Sequence, residues 1–489
     1  MRRLKGEDNS FLAWESDVQP QHTIKAIVCD PARGHVPLTF ERVKVAVQGM
    51  VDRIEPLQWQ LLMPRLPIGR PWWISRPRLD IDYHVRRVAA AAPGGDRELA
   101  AAISAIVEPR LDRSRLPWQM WYVDGLADGR IALVLKIHHA VADGMASLRL
   151  LETMYSADPE ARLPEPRVTP LPNDRRPASW IWLPLVVRHQ LAALIGFPRI
   201  IARTARVTRT IRRRQKAGKP GYAAAFAAPG ARFNAPLTPD RRFAYHSCDL
   251  QTIKQVAKTL GVNVNDVFLA CCSGALREFL ARRGDLPAET LTAVVPVSMR
   301  PPGAEIEWGN HVARWNVLLA TDIADPVERL TAIAAATRTA REVQAERDAL
   351  LQHDWMEYWP LFWFYSRALP LVGERMSHRP TFSLIASNMR GPQRRLYWGG
   401  APIEQLISTG PLVFPMGLNF TGWSYADRMT IGVLTCGDHV ADPWEIADGL
   451  PRALAELAER ASAAVETVEQ AKGEAAAGVD VLPEAGHRV

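Results

Sequence analysis

Lys136-Ile137-His138-His139-Ala140-Val141-Ala142-Asp143-Gly144 is the stretch on which the reading of this chain turns. It follows Arg130-Ile131-Ala132-Leu133-Val134-Leu135, an apolar run with β-branched residues that predicts a buried strand. Beyond Gly144, the spacing of Met145, Leu148, Leu150, Leu151 and Met154 predicts a helix. Two histidines therefore close a strand, and a short turn carries Asp143 and Gly144 into the helix. Neighbouring strand residues point to opposite faces, so one histidine faces the core and the other whatever lies across the sheet. That asymmetry suits one reactive imidazole with structural neighbours. It fits a shared metal badly.

A neutral imidazole, with an ordinary pKa of about 6.5, can take a proton from a bound nucleophile near neutral pH. A positioned general base of this kind contributes about 10²–10⁴-fold to a rate. Asp143 either orients the site directly or caps the helix and pairs with an arginine from elsewhere. Gly144 permits a close backbone approach that a side chain would block. The plain alternative is a strand end with two polar residues, followed by an Asp-Gly turn.

Working outward, Trp121-Tyr122-Val123-Asp124-Gly125-Leu126 predicts a strand paired with Ile131–Ile137, with Ala127-Asp128-Gly129 in the turn. That hairpin places the histidines at its far end. Upstream, Phe11, Leu12 and Trp14 read as core anchors, and His22, opening a strand Ile24–Val28, reads as structural. Helices are predicted over Phe40–Met50 and Asp96–Ile106.

His138-His139-x-x-x-Asp143-Gly144 resembles the HHxxxDG signature of the coenzyme-A-dependent acyltransferase superfamily, which includes chloramphenicol acetyltransferase, carnitine acyltransferases and peptide-synthetase condensation domains. Further segments are similar to one branch, the bacterial wax ester synthase/diacylglycerol acyltransferases. They are Leu116-Pro117-Trp118, Asn265-Asp266-Val267, Val295-Pro296-Val297-Ser298-Met299-Arg300, Gly309-Asn310 and Ser387-Asn388-Met389-Arg390-Gly391-Pro392. Two depart from the family pattern: Leu-Pro-Trp stands where Pro-Leu-Trp is usual, and Met389-Arg390 where Val-Pro is usual.

The resemblance implies an α/β (α+β) fold of two chloramphenicol-acetyltransferase-like domains, each a mixed sheet packed with helices, with the active site in the channel between them. It implies catalytic roles for His139, His138, Asp143 and Gly144. Substrate-binding roles follow for Asn265, Asp266, Pro117, Trp118, Arg300, Gly309, Asn310, Ser387 and Asn388. In this reading Arg300 meets coenzyme A phosphates or a carboxylate, and Asn265 or Asp266 also serves as a helix cap. The implied reaction moves a long-chain acyl group from acyl-coenzyme A to diacylglycerol, or to a long-chain fatty alcohol, with His139 as base. Acyl-coenzyme A is a substrate, and neither cofactor nor metal is called for. Three rivals stand beside it: a condensation-type enzyme, a catalytically silent lipid-binding protein, and a metal hydrolase using His138, His139 and Asp143.

The 489 residues exceed one ordinary core, and 47% apolar content is that of a globular chain. The expected division is an N-terminal domain 1–160, a Pro-rich and basic linker 161–235, a C-terminal domain 236–468 and a loose tail 469–489. Five cysteines without CxxC spacing indicate neither a disulfide framework nor a zinc site. There is no P-loop, no GxGxxG at a strand-to-helix junction and no GxSxG elbow.

Between Arg188 and Lys219 lie ten Arg/Lys and no Asp/Glu, more than the whole net charge of +8, so the rest of the chain is slightly acidic. A helix is predicted here, with Pro198 in its first turn and an apolar stripe of Ile200, Val207 and Ile211. A basic amphipathic segment over 180–219 suits an anionic lipid surface, the alternative being an interdomain helix with a solvated basic side, and without a binding motif nucleic acid is not expected. No run reaches about 18 uninterrupted apolar residues. The expectation is a cytoplasmic chain, peripheral on the inner membrane or on lipid droplets. Helices are also predicted at 326–349 and 354–369, the second rich in aromatics, and from Pro443 to about Thr467. Strands are predicted at Arg242–Cys248, Leu291–Val297, Val312–Ala320 and Thr381–Ser387, and Leu418–Phe420 and Met429–Leu434 flank Ser424–Asp427 in a hairpin. Asp82-Tyr83-His84-Val85 resembles, in altered form, a strand of the family.

Overall fold

In the computed structural model the strand before the histidines spans Ile131–His138, buried along its whole length. Burial on both faces explains its unbroken apolar sequence. Ile131, Leu133, Leu135 and Ile137 enter one core, while Ala132 and Val134 enter another on the opposite face. The structure describes residues 1–63, 70–75, 80–167, 179–217, 227–301, 303–346, 351–357 and 377–477.

Two six-stranded mixed sheets organise the described chain. In the first, Ile131–His138 is central, antiparallel to both Trp118–Asp124 and His22–Cys29. Val85–Ala89 adds in parallel beside Trp118–Asp124. The predicted hairpin is present. The other edge comes from far along the chain: Ala401–Thr409 pairs antiparallel with His22–Cys29, followed by Tyr397–Trp398. The second half of the sequence thus completes the sheet of the first half, across the boundary expected at 236.

The second sheet runs in the order Val312–Leu318, Thr292–Ser298, Leu384–Arg390, Leu418–Tyr425, Arg428–Cys436 and Arg241–Asp249. Helices Leu250–Thr259, Val264–Arg282 and Gly449–Ala477 pack with it around one apolar core. A further cluster bridges the halves: Ile103 and Ile106 of helix Asp96–Val107 meet Ala132 and Val134 on one side, Phe243 and Leu434 on the other.

Several boundaries differ from expectation. Ile81–His84 is a short helix, because the Asp80 carboxylate accepts the Tyr83 amide and caps it, and the strand begins only at Val85. The strand expected at Thr381–Ser387 spans Leu384–Arg390. The final helix continues to Ala477, past Thr467 and into the expected loose tail. Helix Pro326–Glu346 and the short Leu351–Met356 stand where longer helices were predicted, and most of the aromatic segment lies outside the described residues.

The basic helix is longer than expected, spanning Ser179–Lys216 with Pro184 and Pro198 both inside it. Its predicted apolar stripe turns inward. Ile200 is buried, the Thr204 hydroxyl accepts from Trp355 Nε1 at 2.9 Å, and Arg203 pairs with Asp354. Exposed apolar residues occupy another line, Leu183, Val187, Leu191, Leu194 and Ile195, the last 80% exposed. Their spacing is one helical face. Within Leu183–Arg214 a window is long and apolar enough to cross a membrane by length and composition alone, with 11% of it buried.

Candidate active site

The strand ends at His138, and the chain turns there, so the two histidines face different surroundings. His138 is buried, and its Nδ1 accepts the Ala140 amide at 3.1 Å. The proton is therefore on Nε2, which faces Glu15 Oε1 at 3.4 Å. Burial alone would raise the Glu15 pKa, but His138 and Arg113 outweigh it and hold the carboxylate at about 2. Arg113 Nε donates to the other Glu15 oxygen at 2.6 Å. His138 is thus tied into a buried network and does not line the cavity described below.

His139 is half-buried and faces that cavity. Its ring stacks on Phe11, centroids 4.1 Å apart. Its Nδ1 lies 3.1 Å from Asn310 Oδ1. The direction of that bond follows from the other end of the amide. Asn310 Nδ2 donates to Asp8 Oδ1 at 2.9 Å and to the His139 carbonyl at 2.8 Å, so Oδ1 is the acceptor and His139 Nδ1 carries the proton. The Nε2 lone pair is left for the cavity. Burial pushes the His139 pKa down to about 4, keeping the ring neutral at physiological pH.

Asp8 closes this chain of contacts, accepting from both the Asn310 amide and side chain. Burial raises its pKa to about 6, against the opposing pull of those hydrogen bonds. It sits on helix Gly6–Trp14, whose Glu7 pairs with Arg314 and whose Phe11 carries the His139 ring. Asp8, Phe11 and Glu15 follow i, i+3, i+7 spacing, so this helical face and the residue after it supply contacts to both histidines. Phe11 is the core anchor it was expected to be and also lines the cavity, whereas Trp14, expected as one too, is half-buried and lines it. The i, i+3, i+7 pattern could have flagged the face, but nothing local could name its partners.

Asp143 takes the second of its two expected roles. Its Oδ1 caps helix Gly144–Met154 through the Ala146 amide at 2.9 Å. Its Oδ2 accepts from Arg300 Nη1 at 2.6 Å and from the His311 amide at 2.9 Å. Arg300 also donates to the carbonyls of Glu307 and Gly309. Its partner is therefore this carboxylate, and it does not line the cavity.

The Gly309 amide donates to the Val141 carbonyl at 3.1 Å, stitching the two segments together. Gly309 has φ +94°, and a Cβ there would lie 3.0 Å from Asp8 Oδ2. Only glycine fits without strain. At Gly144 a Cβ would come within 2.5 Å of Met389 Sδ, so the glycine lets this side chain pack against the start of the helix.

The cavity has a volume of about 480 Å³ and lies between the two sheets. Of the expected site residues, His139, Asp143, Gly144 and Ser387 line it. Gly309 and Asn310, expected to bind substrate, instead position the imidazole. Pro117 and Trp118 belong to the first sheet: the Pro117 carbonyl accepts the His138 amide, and the buried Trp118 donates Nε1 to the Leu57 carbonyl. The N-cap residue of helix Val264–Arg282 is Asn263, and Asp266 shares in the cap through a capping box, whereas Asn265 does not. The other Asp266 oxygen accepts the Thr337 hydroxyl, and the buried Asp266 does not line the cavity. Asn388 Nδ2 meets Asn265 Oδ1 at 3.5 Å, beside the cavity. Among the described residues no group of three or more His, Cys, Asp or Glu is placed to hold a metal ion. His138 and His139 in particular face apart.

Comparison with known proteins bears on this geometry. The family model for the wax ester synthase/diacylglycerol acyltransferase catalytic domain matches residues 4–268, and the WS/DGAT C-terminal domain matches 308–458. A Mycobacterium tuberculosis protein provisionally named a diacylglycerol O-acyltransferase is 35% identical over 472 residues, covering 94% of this chain and 90% of its own. The O-acyltransferase WSD of Acinetobacter baylyi is 29% identical over 452 residues, 89% of this chain and 92% of its own. The solved wax ester synthase/diacylglycerol acyltransferase from Marinobacter aquaeolei VT8 superposes with a TM-score of 0.66 at 26% identity, over 94% of this chain and 100% of that one.

Proposed function

The chain belongs to the wax ester synthase/diacylglycerol acyltransferase family, and on that premise we propose that it transfers a long-chain acyl group from acyl-coenzyme A to diacylglycerol, with His139 as general base. The observation that carries the reading is the Asn310–His139 contact, which leaves Nε2 unprotonated beside a largely apolar cavity between the sheets.

The acceptor hydroxyl gives its proton to His139 Nε2 as its oxygen attacks the thioester carbonyl carbon. A C–O bond forms, and a tetrahedral oxyanion results. Collapse breaks the C–S bond, and the imidazolium returns its proton to the departing thiolate. Stacking on Phe11 and the bond to Asn310 hold the ring through both transfers. All five cysteines are buried, and burial raises the thiol pKa of Cys29, Cys248, Cys271 and Cys272, which disfavours a thiolate acyl carrier. Direct transfer is the simpler route.

Diacylglycerol is favoured by the name of the mycobacterial relative, and a long-chain alcohol is the alternative carried by the name of the Marinobacter enzyme, which is called both a wax ester synthase and a diacylglycerol acyltransferase. The lipid surface, the cytoplasmic face of the inner membrane or a storage droplet, would be met by the exposed Leu183–Ile195 line and the arginines that follow it.

The deciding experiment measures coenzyme A release from palmitoyl-coenzyme A with diacylglycerol or hexadecanol, wild type beside His139→Ala. Acceptor-dependent release, lost in the variant, supports the reading and names the acceptor. Lipid binding without release from a folded protein would favour a silent lipid-binding role.

A further inference from the structure

The cavity wall carries an amine with no acid beside it. Lys25, on strand His22–Cys29, is 5% exposed and lines the cavity. Its Nζ donates to Ser408 Oγ at 2.8 Å and sits 5.0 Å from the centroid of the Trp423 ring. Ser408 in turn donates its hydroxyl to the Ile24 carbonyl at 2.9 Å, so it stands as an acceptor toward the lysine. An ammonium has three protons to place, and no carboxylate pairs with this one among the described residues. Burial accordingly pushes its pKa down to about 7.

A second unsatisfied donor stands on the same face. Thr23 is 4% exposed and lines the cavity, and its hydroxyl has no hydrogen-bond partner among the described residues. Strand alternation puts Gln21, Thr23 and Lys25 on one side. The Gln21 carbonyl holds the His139 amide at 2.9 Å, so Thr23 and Lys25 lead away from the imidazole in steps of about 7 Å. Lys25 remains near enough for its charge to lower the proton affinity of His139.

We propose that Thr23 and Lys25 form an acceptor subsite that hydrogen-bonds an ester carbonyl of a glycerolipid. The alcohol would then be recognised by an oxygen function neighbouring its reacting hydroxyl as well as by its apolar chains. This inference rests on the acyltransferase reading above. Both ester carbonyls of a diacylglycerol lie within one glycerol unit of the free hydroxyl, and His139, Thr23 and Lys25 all line the one cavity. A plain alkanol offers no such oxygen and leaves the Thr23 hydroxyl and the remaining Lys25 protons buried without an acceptor. A site built to bond an oxygen discriminates strongly against a substrate that lacks it.

The test compares dioleoylglycerol with its dioleyl ether analogue, which keeps the shape and the free hydroxyl but lacks both carbonyls. Coenzyme A release from palmitoyl-coenzyme A is the readout. Wild-type protein should prefer the diester by about tenfold or more in kcat/KM, and Lys25→Met and Thr23→Val should each move that ratio toward one. Lys25→Met removes a buried charge and Thr23→Val an unpartnered hydroxyl, so the two variants challenge folding in different ways. Equal use of diester and diether by wild type overturns the subsite. So does a variant that slows both acceptors in parallel, which would put its side chain on the shared thioester chemistry. Absence of acceptor-dependent release with every alcohol would instead mean that the acyltransferase reading has failed.

Discussion

Asn310 Oδ1 accepts the Nδ1 proton of His139 at 3.1 Å, although 171 residues separate the two in the chain. One half of the sequence supplies the imidazole, and the other selects its tautomer. Asn310→Ala should therefore lower kcat by about ten- to a hundredfold, within the range of a general base that has lost its orientation, while KM changes little. Steady-state kinetics with palmitoyl-coenzyme A would check this split. A change confined to KM would move Asn310 from positioning the ring to binding substrate.

Asp143 and Arg300 form a second link between the halves, 2.6 Å apart and nearly sealed from solvent, with side-chain exposures of 1% and 8%. Removing one partner strands the other as a buried charge, so Asp143→Ala or Arg300→Met alone should cost about 3–5 kcal/mol in unfolding free energy. The double variant should cost less than the sum of the two. Urea unfolding of all four proteins gives the coupling, and strict additivity would show that the pair is not what joins the segments.

The histidines set two pH windows. With its pKa near 4, His139 stays neutral through mildly acid solution, so the acid limb of kcat/KM should fall below about pH 5 and not near the ordinary imidazole value. For stability, the folded pKa values of His139 and His311 are depressed to about 4, and those of His22 and His84 are also lowered, burial being the first cause in each. The unfolded chain then binds more protons between about 4 and 6.5, so stability rises with pH across that interval. Asp8, raised to about 6, works the other way over part of it. Four imidazoles outweigh one carboxylate, so the urea midpoint should be higher at pH 7 than at pH 5. A flat profile would mean that these rings are charged in the fold.

The exposed apolar line on helix Ser179–Lys216 makes a surface prediction. Leu191 and Ile195 are 54% and 80% exposed, so Leu191→Glu with Ile195→Glu should leave the melting temperature nearly unchanged. The same pair should reduce co-sedimentation with anionic phospholipid vesicles several-fold. Unaltered sedimentation would assign this line to something other than lipid.

What the sequence by itself determined is whatever repeats over a few residues. The apolar run before His138, the hairpin through Ala127–Gly129, the helix opening at Gly144 and most of the second sheet were legible because strand and helix periods are local. Motif resemblance added the family and named His139, Gly309 and Asn310 before their contacts were known. Local periodicity cannot say which face meets which. Ile200, Val207 and Ile211 make a narrow apolar stripe, interrupted by Thr204, and that stripe packs inward while a different line faces solvent. Only the tertiary structure decided that Ala401–Thr409 completes the first sheet, that Asp8 and Asn310 lie in contact across 302 residues, and that Arg300 answers Asp143. The physical reason is common to all three. Buried polar groups must be satisfied wherever a partner exists, and partners brought together by packing leave no spacing in the sequence to read.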